Sequence, residues 1–192
     1  MKSLIALSLS AALLAGCAGW TPSRGSDALK VASWNLEHLA ERDGEGCAPR
    51  TEADYARLRE HAIALGADVV AFQEVQNRAA AERVFDPALY DVVMSGRSPS
   101  TRSGECRGRP GLFIQNQAVG FAIRKGIPWT RNPDLSALAL GNPDLRWGVD
   151  ITVSRRRPVR LLAVHLKSGC NAGRPPADPA RPVPFAPTPT PA

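Results

Sequence analysis

The sequence predicts an α/β (α+β) fold built mainly on one mixed β-sheet with flanking helices, and three observations carry that expectation. The segment Val69-Val70-Ala71-Phe72 is a short continuous apolar run with turn-prone flanks, the pattern of a strand buried on both faces. Just before it, Tyr55, Leu58, Ala62 and Leu65 recur at helical spacing and Gly66 stops the series. Further short apolar runs follow, separated by polar stretches containing Gly or Pro. The chain has 192 residues, of which 44% are hydrophobic and 22% charged. That suffices for one domain with a substantial core and excludes a disordered or fibrous class.

Taken in order, Leu29 to Trp34 reads as a strand ending at Asn35-Leu36, and Arg42 to Arg50 is polar and Gly-containing, hence a loop. Thr51 followed by Asp54 resembles a capping box with Asp in place of the usual Glu, so a helix should start there. Ala67 to Val75 contains the buried strand. Asn77 to Phe85 reads as a short helix and Tyr90 to Met94 as another strand. Ser95 to Pro110, rich in Ser, Gly and Arg, is expected to be a mobile surface loop. Gln117 to Arg124, Trp147 to Ser154 and Val159 to Lys167 supply three more strands, the last two joined in a hairpin through Arg155-Arg156-Arg157-Pro158.

The ends differ in kind. Lys2 precedes an apolar run from Leu4 to Leu14, shorter than the roughly 20 residues a membrane-spanning helix needs. Leu14-Ala15-Gly16-Cys17 resembles a bacterial lipobox, so residues 1–16 are expected to be a lipoprotein signal peptide with Cys17 lipidated. The expected location is therefore the periplasmic or cell-surface side of a membrane, with Cys17 as the anchor. Residues 17–28 read as a tether, residues 29–170 as the folded domain and residues 171–192 as a Pro-rich disordered tail. Eight of those last 22 residues are proline, which removes backbone donors and fixes φ. The tail is either a natural Pro-rich extension or the product of a reading frame that changes just after Cys170. With Cys17 lipidated, one bridge among Cys47, Cys106 and Cys170 is plausible in an exported chain, and its connectivity stays open.

Several motifs carry polar groups at strand ends, the rim where sites form. Trp34-Asn35-Leu36 closes the first strand and Phe72-Gln73-Glu74-Val75 the second. Asn116 and Gln117 open another, and Val164-His165-Leu166-Lys167-Ser168 closes the last. An amide, a carboxylate and an imidazole on one rim suit a hard divalent cation and a phosphate. The formal charge of +6 suits a polyanionic partner and serves equally as a solubilising surface.

In succession these motifs resemble the opening half of the endonuclease/exonuclease/phosphatase superfamily (deoxyribonuclease I-like), over roughly residues 29 to 170. The resemblance implies part of a four-layer α-β-β-α sandwich whose second sheet is incomplete or missing. It implies a metal-dependent phosphoesterase, nuclease or phosphatase, using Mg²⁺, with Mn²⁺ or Ca²⁺ as alternatives. Glu74 would ligate the metal and Asn35 would order its outer shell and the phosphate. His165 would contact the phosphate, Arg146 would precede the strand leading to His165, and Asn116 and Gln117 would line the pocket. Glu37, His38, His61 and Asp150 receive no role. The partners implied are a phosphoester substrate, nucleic acid among the options, and a membrane through Cys17. No protein partner is inferred.

The family's Gly-Asp-x-Asn segment and later Asp-His pair are absent; after His165 the only acid is Asp178 and there is no further His. The expectation is thus a truncated platform that binds metal and phosphate and turns over weakly or not at all. The alternative is a catalytically defective phosphate- or nucleic-acid-binding lipoprotein. A sheet built to be covered should also expose an apolar face.

Overall fold

The structure is a computed structural model that describes residues 28–100, 104–154 and 157–166. The expected signal peptide, Cys17, Lys167, Ser168, Cys170 and the Pro-rich tail lie outside the described residues. Among the described residues, nine strands form two sheets and a separate hairpin: β1 (Val31–Leu39), β2 (Val69–Val75), β3 (Tyr90–Met94), β4 (Glu105–Cys106), β5 (Arg109–Phe113), β6 (Ala118–Arg124), β7 (Trp129–Arg131), β8 (Val149–Ser154) and β9 (Pro158–Ala163). Two helices, α1 (Glu52–Ala64) and α2 (Arg78–Glu82), and a 3-10 turn, η1 (Ser136–Ala139), complete the described elements.

The first sheet has the order β1-β2-β6-β3. β1 and β2 run parallel, whereas β6 is antiparallel to both β2 and β3. The mixed sheet read from sequence is therefore present, and β2 is buried on both faces as its apolar run requires. One face packs against α1 and α2, where Phe72, Phe85, Tyr55, Tyr90 and Leu36 are buried together. Helix α1 begins where expected, because the Asp54 carboxylate accepts from both the Thr51 N–H and its hydroxyl, at 2.9 and 2.8 Å.

The other face carries a second sheet, β7-β8-β9, so the second layer exists in part. Val69, Val93, Val119, Phe121 and Ile123 meet Val149, Ile151, Val153 and Ala163 in one buried cluster. Each of the Val, Ile and Phe side chains contributes about 1.5–3 kcal/mol when fully buried. Strands β8 and β9 pair antiparallel from Val149↔Ala163 to Ser154↔Pro158, as the hairpin reading requires. Strand β7 and turn η1 had no signal in the sequence.

Two expectations need correction. The stretch Ser95 to Pro110 is not simply a surface loop: it enters the β4–β5 hairpin, and Cys106 is bonded to Cys47 across 59 residues of sequence. Nor is the first sheet left with a bare apolar face, because β8 and β9 cover it, and the outer face of that cover is largely polar. Alternation turns Asp150, Thr152 and Arg160 outward, and the Asp150 carboxylate accepts from Arg160 Nε at 2.9 Å, Arg160 Nη2 at 2.7 Å and Asn132 Nδ2 at 2.7 Å. These polar groups satisfy one another and leave Leu162 as an exposed apolar side chain on that strand pair.

Candidate functional site

Strand direction brings the motifs together. Because β1 and β2 are parallel, their C-terminal ends lie side by side, and because β6 is antiparallel, its first residues share that rim. Asn35 is registered with Gln73. Strict alternation would then turn Glu74 to the opposite face. A kink prevents this. Register shifts fall between Asn35 and Leu39 in β1 and between Phe72 and Val75 in β2. Among the described residues, positive φ outside glycine occurs at Glu37 (43°), His38 (52°), Glu74 (60°) and Leu140 (49°). Three of these four line the paired bulges. Such left-handed backbone costs about 1–2 kcal/mol per non-glycine residue, and it clusters where a side chain must be aimed against the local rule.

The geometry at the rim is closely connected. Asn35 Nδ2 donates to Glu74 Oε1 at 3.0 Å, while Asn35 Oδ1 accepts from the Glu37 N–H at 2.8 Å. The His38 N–H donates to Glu74 Oε2 at 3.3 Å. His165 Nε2 stands 3.2 Å from Glu74 Oε1, and His38 Nε2 stands 3.9 Å from Oε2. The Glu74 side chain keeps 16% exposure, so the carboxylate is largely sheltered.

Burial acts to raise the Glu74 pKa, but the Asn35 hydrogen bond and the neighbouring His38 and His165 outweigh it and hold the carboxyl below its ordinary value. Burial lowers His165, the Arg146 guanidinium lowers it further, and Glu74 only partly opposes them. At neutral pH the site therefore pairs an ionised carboxylate with a neutral imidazole.

Arg146 is the buttress of this rim. Its Nε donates to the Gln117 carbonyl at 3.1 Å, its Nη2 to Gln117 Oε1, and its Nη1 to the His165 carbonyl at 3.5 Å. One guanidinium thus ties the start of β6 to the segment after β9. Gln117, its carbonyl oxygen taken by Arg146, turns its amide nitrogen to His38 Nδ1 at 2.9 Å. The structure accordingly gathers Asn35, Glu74, Gln117, Arg146 and His165. Asn116 is placed beside them but directed elsewhere: its Nδ2 donates to the Gln76 carbonyl at 2.9 Å and its Oδ1 accepts from Arg97 at 2.7 Å.

His38 is the member that sequence reasoning passed over. A His three residues beyond Asn35 carries no periodic signal, and only the β1 bulge turns it inward. Asp150, also given no role, holds the outer face of the second sheet. His61 packs edge-on against Trp34 with ring centroids 4.9 Å apart.

Among the described residues, no group of three or more His, Cys, Asp or Glu is arranged to hold a metal ion. Glu74 is the carboxylate that these contacts bring to the rim.

No protein-family model matches the chain, and no curated protein matches it. Among solved structures it is similar to a humanized D. rerio TDP2 carrying 14 mutations, at 16% identity and a TM-score of 0.47. That match covers 71% of this chain and 46% of that one, so the chain spans about half the length of that structure.

Proposed function

We propose that this chain is a Mg²⁺-dependent phosphoesterase platform of the endonuclease/exonuclease/phosphatase type. The observation that carries the reading is the juxtaposition of Asn35 and Glu74 at two neighbouring backbone bulges with His165 from the segment after β9, the Asn35–Glu74 hydrogen bond being 3.0 Å and His165 Nε2 standing 3.2 Å from Glu74. In this reading Glu74 holds the divalent ion and Asn35 orients the carboxylate through its amide. His165, whose Nε2 faces Glu74 at 3.2 Å, would donate its one N–H to a phosphoryl oxygen in place of the carboxylate. Arg146 fixes His165 and Gln117 and supplies positive potential from behind. The metal, when bound, neutralises charge developing on the phosphoryl oxygens.

A second reading, a phosphate-binding module without turnover, is favoured by the single carboxylate at the centre. No Gly-Asp-x-Asn segment occurs in the sequence, and a positioned base contributes about 10²–10⁴-fold to such reactions. Turnover by these residues should accordingly be slow. Membrane anchoring through Cys17 belongs to the proposal as well. It draws support from the lipobox-like residues and from a Cys47–Cys106 disulfide suited to an oxidising compartment. No helix of the described residues is long and apolar enough to cross a membrane.

The test is Mg²⁺-dependent hydrolysis of bis(p-nitrophenyl) phosphate together with Mn²⁺ binding followed by electron paramagnetic resonance. Slow hydrolysis that drops at least tenfold in Glu74→Ala supports the enzyme. Mn²⁺ binding lost in Glu74→Ala, with no hydrolysis in the native chain, supports the module. Absence of Mn²⁺ binding to the native chain rejects both.

A further inference from the structure

Beside the Asn35–Glu74 rim lies an open cleft of about 480 Å³ whose lining includes Glu37, Pro49, Arg50, Asp54, Arg57 and Arg109. Its walls come from separate parts of the chain: the 42–50 loop, the first turns of α1 and the β4–β5 hairpin. Two links join the loop to the hairpin. One is the Cys47–Cys106 disulfide, and the other is a hydrogen bond from Arg109 Nη1 to the Cys47 carbonyl at 2.6 Å.

The cleft is also wired to the rim. Arg50 Nη2 donates to the Leu36 carbonyl at 2.8 Å, and Nη1 to the Glu37 and Ala48 carbonyls at 3.0 Å each. Leu36 and Glu37 belong to the β1 bulge that aims Asn35 and His38.

The cleft carries an excess of positive charge. Arg50 and Arg109 bond to neutral carbonyls, and neither forms an ion pair among the described residues. Arg57 reaches only Asp54, at 3.3 Å with its own side chain 77% exposed. Asp54 is already engaged by Thr51, and exposed pairs of this kind contribute little. Three guanidinium groups thus face two carboxylates, one of which is committed to the cap of α1. Guanidinium forks match phosphate oxygens in geometry and stay charged at every relevant pH.

We propose that this cleft is an anion subsite for a second phosphate of the substrate whose first phosphate sits at Glu74. The substrate would then be a phosphodiester chain and not an isolated phosphomonoester. The inference rests on the phosphoesterase reading above and narrows it. The disulfide keeps the Arg109 wall facing Arg50 and Arg57.

The test uses the full chain, with metal chelated by EDTA so that binding is read apart from hydrolysis. A fluorescein-labelled thymidine hexanucleotide is titrated by anisotropy against the native protein, Arg57→Glu, the double variant Arg57→Ala/Arg109→Ala, and Arg124→Ala as a control. Arg124 ends β6 away from the rim. At least tenfold weaker binding is expected for the two cleft variants and less than twofold for the control. The slope of log affinity against log salt should shrink by about one per arginine removed. Competition by inorganic polyphosphate supports recognition of the phosphate chain; failure of polyphosphate to compete would overturn it. Hexanucleotide affinity within twofold of native in both cleft variants, or an equal loss in the Arg124 control, would also overturn it. Circular dichroism excludes misfolding as the cause, and Arg57 is exposed enough that its substitution leaves the core untouched. Intact cleft binding with no Mg²⁺-dependent hydrolysis of bis(p-nitrophenyl) phosphate counts against the phosphoesterase reading alone.

Discussion

His38 reaches the rim through two contacts of different kinds: its backbone N–H holds one oxygen of Glu74, and its ring receives the Gln117 amide. The ring, 3.9 Å from the second Glu74 oxygen, stands in the shell around the carboxylate. Outer-shell partners of this type commonly tune metal affinity by 10–100-fold. His38→Ala should weaken Mn²⁺ binding by about tenfold while leaving thermal stability within about 1 kcal/mol, and His38→Gln should recover part of the loss. Equal affinity in native and His38→Ala proteins would show the ring to be a bystander. That Asn35, Glu74 and His165 lie near one rim was legible because each sits beside a short apolar run, whereas the roles expected of them came from the family resemblance alone. His38 was not legible, since alternation along β1 breaks only after Asn35 and the break is made by residues other than glycine.

At the scale of the element, the Cys47–Cys106 bond is the main constraint on the β4–β5 hairpin. It closes a loop of 59 residues in sequence separation, and the chain-entropy model assigns such a loop about 4 kcal/mol. Cys47→Ser/Cys106→Ser should lower stability by up to that amount in chemical denaturation. A loss under 1 kcal/mol would mean that the hairpin is held by other contacts. The sequence left three cysteine pairings open because connectivity depends on a hairpin that a Ser-, Gly- and Arg-rich composition conceals.

Strand β6 offers a second test. Gly120 faces Phe72 and Met94 across the ladder, and a Cβ there would fall on the Val93 carbonyl oxygen and 2.5 Å from the Phe72 ring edge. Overpacking of a rigid core costs about 1–3 kcal/mol, so Gly120→Ala should destabilise by at least about 2 kcal/mol in urea unfolding. The strand itself was readable from its apolar run. The requirement for glycine was not, because it arises from neighbours on two other strands.

For the molecule as a whole, the helix layer and first sheet followed from periodicity, while the second sheet was underestimated. Its strands β8 and β9 were visible, but β7 is short and packs through Trp129 without an apolar run. The polar outer face depends on Asp150, which reads in sequence as one more solvated acid. Acid stability tests that face and the rim together. Arg160 chiefly holds the Asp150 carboxyl below its ordinary value, and Glu74 is held low by its neighbours despite burial. Both groups are depressed in the folded state. Their stabilisation is therefore complete above the unfolded carboxylate range and is lost as pH falls through the folded values. Unfolding free energy should decline steadily below about pH 4.5, the ordinary value of a Glu carboxyl, and Asp150→Asn should flatten that decline. A pH profile unchanged by Asp150→Asn would remove Asp150 from the account.

The left-handed backbone at Glu37 carries one more consequence. Glycine adopts that conformation freely, so Glu37→Gly should raise the melting temperature by relieving about 1 kcal/mol of conformational strain. The same exchange would loosen the turn that presents Asn35 and the His38 amide to Glu74, and Mn²⁺ affinity should drop. Firmness of the fold and readiness of its rim are then opposed at a single residue, and a variant that improved both would show that the kink serves neither.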